Sequence, residues 1–174
     1  MHKLLDPFST IDDRPLKAAT LIVGLGSAHG DDQIGWRVAE HLAAMVDRLP
    51  YTAAVSIRIA CSPSELLDWL DGVDRLIVCD ACQNVGAPGT ILCLRWPNAQ
   101  LATLYRSGSH DIGLVEVLAL AERLCRLPKE VIIWCAQGET TTPGSSLSAS
   151  GNVAVTCLVE KINQELGVPV RAAG

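Results

Sequence analysis

The sequence predicts an α/β fold of three layers, α/β/α, in which helices cover both faces of a five-stranded, mostly parallel sheet with one antiparallel strand. Short apolar runs alternate with segments of helical periodicity along all 174 residues. Apolar residues make up 49% of the chain and aromatic residues only 4%, so aliphatic side chains must fill the core. We expect one domain over residues 18–170 and an N-terminal extension over residues 1–17.

Two apolar patterns predict the first strand and the first helix. Residues 19–23 form an apolar run that stops at Gly24-Leu-Gly26, as a buried strand does. From Ile34 onwards apolar side chains recur at helical spacing, and this helix should end before Pro50. The apolar stripe comprises Val38, Leu42, Met45 and Val46.

The middle of the chain predicts three strands and a capped helix. Residues 55–60 alternate as a second strand, and the capping box that begins at Ser62 predicts a helix through Leu70. Residues 75–80 and 89–96 form the third and fourth strands. Too few residues separate them for a helical crossover, so the fourth strand should run antiparallel to the third.

The last third of the chain predicts helix, strand and helix. A helix over residues 112–124 could be capped by Ser109 or Asp111, and the fifth strand covers residues 131–136. The final helix should start near Ser148 or Ser150 and bury one apolar face. That face comprises Val155, Leu158, Val159, Ile162 and Leu166.

Charge and composition limit the possible partners and the location. The chain has 14 basic and 19 acidic side chains, a net charge of −5, which disfavours nucleic acid. The first residues hold no apolar run long enough for a signal peptide or membrane span, so we expect a cytoplasmic location without a membrane partner. The oligomeric state stays open, with a monomer favoured. The seven Cys are interpreted as reduced and mostly buried, with Cys79, Cys93 and Cys135 inside strands.

Candidate functional side chains fall where strands end. Asp31 and Asp32 follow the first strand, Asp80 closes the third, and His110 precedes the helix after the fourth. Ligands of open α/β sheets bind at this edge. Two carboxylates and one imidazole would suit a divalent ion such as nickel or zinc and would leave open positions.

Each of these residues also has a simpler interpretation. Asp80 could accept backbone N–H groups in a turn, and the acid pair could cap the first helix. His110 could be a surface or capping residue, and His29 could join a metal site or face solvent. Cys79 and Cys82 form a Cys-x-x-Cys pair, but Cys79 lies within a strand and no helix follows Cys82, which argues against a redox motif.

Three blocks of sequence carry a family resemblance. The first covers residues 21–38 with Gly24-Leu-Gly26 and Asp31-Asp32, and the second combines residues 78–81 with 88–90. The third runs from Ser109-His110 to Gly113-Leu114, and Leu147-Ser148 fits before the last helix. In this order they resemble the nickel-iron hydrogenase maturation proteases, which are hydrogenase-specific C-terminal endopeptidases, over about residues 19–166.

The resemblance implies a phosphorylase/hydrolase-like fold, a reaction and a set of roles. In that family the positions of Asp32, Asp80 and His110 bind a metal, nickel that the substrate supplies. The implied substrate is the precursor of a hydrogenase large subunit, cleaved near its C-terminus after nickel insertion. We further hypothesise that Asp31 orients or activates the attacking water.

Other functions remain open at this stage. A non-catalytic metal-binding protein of the same fold is one alternative. A nucleotide-binding module is another, although acids at the helix start would repel a pyrophosphate. Peptidyl-tRNA hydrolase also begins with a strand and Gly-x-Gly, but its expected Asn is missing and the net charge is wrong for tRNA.

Overall fold

The computed structural model describes residues 19–46, 55–105 and 112–167. The strands are β1 (Thr20–Leu25), β2 (Val55–Ala60), β3 (Arg75–Cys82), β4 (Ile91–Arg95) and β5 (Glu130–Gln137). The α-helices are α1 (Ile34–Val46), α2 (Leu101–Leu104), α3 (Leu114–Arg123) and α4 (Ala149–Glu165). Short 3₁₀ helices cover Gly30–Gln33 and Pro63–Asp68.

The five strands form one sheet in the order β2-β1-β3-β5-β4. β1 pairs in parallel with β2 and with β3, and β3 pairs in parallel with β5. β4 is antiparallel to β5. The mixed sheet and the direction of the fourth strand are therefore confirmed. The partner of β4 is β5 and not β3, because β5 already occupies the free edge of β3.

Apolar side chains of the central strands alternate between two cores, one on each face of the sheet. Leu76 and Val78 of β3 face a core that includes Leu66 and Leu118 from the 3₁₀ helix Pro63–Asp68 and from α3. The intervening residues of β3 face the second core, to which α1 and α4 contribute. That core includes Ile77, Cys79, Val38, Leu42, Val155, Leu158 and Ile162. The three predicted layers are thus confirmed.

Several predicted boundaries differ from the structure. β3 continues two residues beyond Asp80, to Cys82. The capping box at Ser62 is present, but the helix that it starts is a 3₁₀ helix that ends at Asp68. α3 begins at Leu114 after Gly113, which forms no side-chain cap. The predicted capping residues Ser109 and Asp111 lie outside the described residues.

The final helix starts as predicted, whereas fewer than half of the cysteines are buried, so the prediction that most of them are buried was wrong. Ser148 caps α4 by accepting a hydrogen bond from the Gly151 N–H. All seven cysteines are free; Cys79, Cys82 and Cys135 are buried, whereas Cys61 and Cys125 are exposed. Cys79 and Cys82 face opposite cores, so they cannot act as a pair.

Two glycines allow α1 to contact the sheet backbone directly. A Cβ atom on Gly35 would lie 2.1 Å from the Leu25 carbonyl oxygen and 2.3 Å from that of Cys79. A Cβ atom on Gly24 would lie 2.1 Å from the Gly35 carbonyl oxygen. Gly35 thus sets the distance between α1 and the two strands that lead to Asp32 and Asp80. No helix in the described ranges is long and apolar enough to cross a membrane.

We expect Gly35→Ala to lower the free energy of unfolding by about 3 kcal/mol, because the added methyl group pushes α1 off the sheet. Alanine forms helices better than glycine by about 1 kcal/mol. A fall in the free energy of unfolding of Gly35→Ala therefore reports the steric effect of the methyl group. Urea denaturation of both proteins checks this prediction.

Gly86→Ala is the matched control for this substitution. Its added methyl group would meet the end of the Thr90 side chain at 3.2 Å, which can rotate away. An equal fall in the free energy of unfolding for Gly35→Ala and Gly86→Ala would contradict the conclusion that α1 needs a glycine at position 35.

Candidate functional site

A cavity of about 470 Å³ opens at the carboxyl-terminal edge of the parallel strands. Its wall includes Asp32 from the segment after β1, Asp80 from β3, and Gln137 with Glu139 from the end of β5 and the loop beyond it. Tyr105 contributes from the residue after α2. Parallel strands bring their carboxyl ends to one edge, so segments distant in sequence meet here.

Asp32 and Asp80 face this cavity together, as the sequence analysis predicted for these two residues. The Ala81 N–H donates a hydrogen bond of 2.8 Å to Asp80 Oδ1, so Asp80 makes a backbone contact of the kind that its simpler interpretation required. Burial, followed by the charge of Asp32, raises the pKa of Asp80 well above its ordinary value. The two carboxylates therefore repel each other, and a cation between them would remove that repulsion.

Asp31 points away from the cavity and into the protein. Its side chain is fully buried, and it accepts hydrogen bonds from the Ser148 N–H at 2.8 Å, the Ser148 hydroxyl at 2.8 Å and the Glu139 N–H at 2.7 Å. The Thr140 N–H adds a longer contact of 3.4 Å. Burial alone would raise the pKa of Asp31, but these hydrogen bonds outweigh it and lower the pKa.

Neither acid caps the first helix through its side chain. The 3₁₀ helix Gly30–Gln33 begins after His29, which makes no side-chain cap, and α1 continues from it. Asp31 instead binds the start of α4 and the loop after β5. The capping interpretation is thus wrong for Asp31. Its predicted part in activating water stays a prediction, and its geometry favours a structural role.

Small residues make room for the Asp31 carboxylate. A Cβ atom on Gly151 would lie 2.5 Å from Asp31 Oδ1, and one on Gly138 would lie 3.3 Å from Asp31 Cβ. Gly30 has a φ of 54°, and its N–H donates to the Ser145 carbonyl at 3.0 Å. The segment after β1 and the loop after β5 are therefore fastened together beside the cavity.

The structure describes one of the two histidines that were considered as metal ligands. His29 is exposed and accepts a hydrogen bond from the Gly144 N–H at 3.4 Å. It does not line the cavity. His110 lies outside the described residues. Within the ranges that the structure describes, no three His, Cys, Asp or Glu side chains are grouped so as to hold a metal ion.

Two cavity residues were missed by the sequence analysis. Glu139 follows the end of β5 at the edge that holds Asp32 and Asp80, so the strand-end rule could have found it. Tyr105 also faces the cavity, and its hydroxyl oxygen is buried without a hydrogen bond in the described part of the chain. No local pattern in the sequence marks Tyr105.

A family model described as hydrogenase maturation protease, HycI, matches residues 36–165. The chain belongs to the hydrogenase maturation protease family. It is a peptidase with an endopeptidase role in hydrogenase maturation, which sets aside the nucleotide-binding and tRNA-hydrolase alternatives. The matched region contains Asp80 and begins after Asp31 and Asp32. Among curated protein sequences no match was found.

Solved structures of the same family share the fold. An endopeptidase from Escherichia coli is 26% identical with a TM-score of 0.70, over 86% of this chain and 94% of that one. A hydrogenase 2 maturation peptidase from Thaumarchaeota archaeon SCGC_AB-539-E09 is 25% identical with a TM-score of 0.63, over 86% and 99%. The hydrogenase maturating endopeptidase HybD from E. coli is 24% identical with a TM-score of 0.67, over 85% and 91%.

We expect Asp31→Asn to lower the free energy of unfolding at neutral pH by about 2–4 kcal/mol, because the amide loses charge-assisted hydrogen bonds. The folded-state pKa of Asp31 is lowered, so its stabilisation is present above the unfolded-state pKa of about 3.9 and disappears as the pH falls through the folded-state value. The difference from wild type should therefore shrink below about pH 4. Chemical denaturation at pH 7 and at successively lower pH values checks this.

The exposed Asp68→Asn serves as a control and should leave stability unchanged at each pH. A difference between Asp31→Asn and wild type that stayed constant below pH 4 would contradict the assignment of an ionised, hydrogen-bonded Asp31.

Proposed function

We propose that this endopeptidase removes the C-terminal extension of a nickel-iron hydrogenase large-subunit precursor and recognises nickel already inserted in that substrate. The observation that carries the proposal is the convergence of Asp32 and Asp80 on one cavity at the strand ends, in a chain of the hydrogenase maturation protease family. The nickel belongs to the substrate, and the two carboxylates would be its ligands from this chain.

The charge of the cavity supports this proposal. Its described lining includes Asp32, Asp80 and Glu139 and contains no Lys, Arg or His. An acidic cavity with low-dielectric walls attracts a cation. Carboxylate oxygens suit a divalent ion, particularly when a third ligand contributes nitrogen.

His110 is the proposed third ligand. It follows the cavity residue Tyr105 by five positions, so the backbone between them spans at most about 17 Å. A set of three ligands would leave coordination positions for groups of the substrate. The cytoplasmic location and the monomeric state remain predictions.

The incomplete ligand set explains how such an enzyme would distinguish two forms of its substrate. Discrimination equals the difference in binding free energy between the nickel-loaded and the empty precursor. A site that held its own tightly bound metal would gain less from a metal in the substrate. Once bound, the ion would polarise the scissile carbonyl or lower the pKa of a water molecule.

We expect Asp80→Asn to slow cleavage of nickel-loaded precursor at least about 100-fold, since it removes a proposed metal ligand. Its stability should be equal to or above that of wild type, because the neutral amide removes the repulsion from Asp32. Gel-based cleavage assays with loaded and empty precursor, together with thermal melts, check both expectations.

Asp68→Asn, on the exposed 3₁₀ helix, is again the matched control and should cleave at the wild-type rate. His110→Ala should be as slow as Asp80→Asn. Wild-type cleavage of empty precursor as fast as of loaded precursor would refute metal recognition, and undiminished activity of Asp80→Asn would refute its role as a ligand.

A further inference from the structure

Hydrolysis of a peptide bond requires a group that takes a proton from the attacking water, and Asp31 is badly placed for this. It is fully buried, and four donor groups from Ser148, Glu139 and Thr140 already occupy its two oxygens. Asp32 and Asp80 are committed to the metal in the proposed function. Glu139 is the acid that remains among the described residues of the cavity wall.

Glu139 lies on the wall of the same cavity as Asp32 and Asp80. No group of three such side chains in the described ranges is arranged to hold an ion, so the Glu139 carboxylate is not assigned to the metal. A general base must lie within reach of the reacting centre and keep a free oxygen.

Glu139 is exposed, yet hydrogen bonds hold both its backbone N–H and its side-chain carboxylate. Its N–H donates to Asp31 Oδ2 at 2.7 Å, and its Oε2 accepts a hydrogen bond from the Ser150 hydroxyl at 2.7 Å. The hydroxyls of Ser150 and Ser148 are 2.9 Å apart, and the Ser148 hydroxyl donates to Asp31 Oδ2 at 2.8 Å. These contacts form a ring from Asp31 through Glu139, Ser150 and Ser148, in which each hydroxyl donates its one proton to a carboxylate and the two hydroxyls touch without a hydrogen bond between them.

This ring orders a side chain that would otherwise sample many rotamers. An exposed hydrogen bond stabilises the fold little, and ordering a glutamate costs conformational entropy. Fixed orientation is instead what a reacting group requires. Oε1 of Glu139 accepts no hydrogen bond from any described residue, so this oxygen is free to face a water molecule.

We infer that Glu139 is the general base of the peptidase reaction, a role that rests on the proposed function. The Glu139 carboxylate takes one proton from water as the water oxygen bonds to the scissile carbonyl carbon. It returns that proton to the amide nitrogen as the carbon–nitrogen bond breaks, which yields a new carboxyl terminus and a free amine. Asp31 is then a positioning residue that acts through Glu139.

The decisive experiment compares wild type, Glu139→Gln and the exposed control Glu160→Gln on nickel-loaded precursor under steady-state conditions. We expect kcat to fall at least about 100-fold in Glu139→Gln, with KM and melting temperature close to those of wild type and nickel binding unchanged. Glu160→Gln should match wild type.

A kcat of Glu139→Gln within twofold of wild type across the pH range would overturn the inference while leaving the proposed function intact. Wild-type protein that leaves the loaded precursor uncleaved would overturn both. If Glu139→Gln melts well below wild type, the Ser150→Ala variant is the deciding test. It keeps the Glu139 carboxylate and removes the hydrogen bond that orients it. A several-fold loss of kcat at constant KM supports the inference, and an unchanged kcat refutes it.

Discussion

The buried carboxylate of Asp31 is the constraint on which the site depends. An ionised group inside a protein costs several kcal/mol unless hydrogen bonds replace its lost hydration. Here they come from residues that are distant along the chain, 108 and 117 positions away. The same contacts place Glu139 and Thr140 at the cavity wall and begin α4 at Ser148. Stability and site geometry therefore share one set of hydrogen bonds.

Two adjacent acids have opposite environments because of the helix in which they lie. A 3₁₀ helix has about three residues per turn, so consecutive side chains point roughly 120° apart. Asp31 accordingly points into the protein, whereas Asp32 lines the cavity. In sequence the two residues look equivalent. The local conformation, together with the glycines that let Asp31 approach α4, gives Asp31 a structural role and places Asp32 in the site.

The sequence predicted what depends on local periodicity or on strand ends. The layered sheet, the capping box at Ser62 and the meeting of Asp32 with Asp80 all follow from patterns within short windows. The pairing of β4 with β5, the burial of Asp31 and the position of Tyr105 depend on contacts between distant segments, which a single sequence does not reveal. Glu139 is an intermediate case, because the strand that precedes it was predicted but its hydrogen bond with Ser150 was not.

The proposed metal ligands and the proposed base also lie on different segments of the fold. In the proposed function, carboxylates at the ends of β1 and β3 hold the substrate's ion, while the loop after β5 carries the base. Asp31 links the two parts, because its neighbour Asp32 belongs to the first part and its hydrogen bonds fix the second. A precursor without metal would reach Glu139 but gain nothing from Asp32 and Asp80. Such a substrate could enter the cavity without being held long enough to react, so recognition of the metal would control whether hydrolysis takes place.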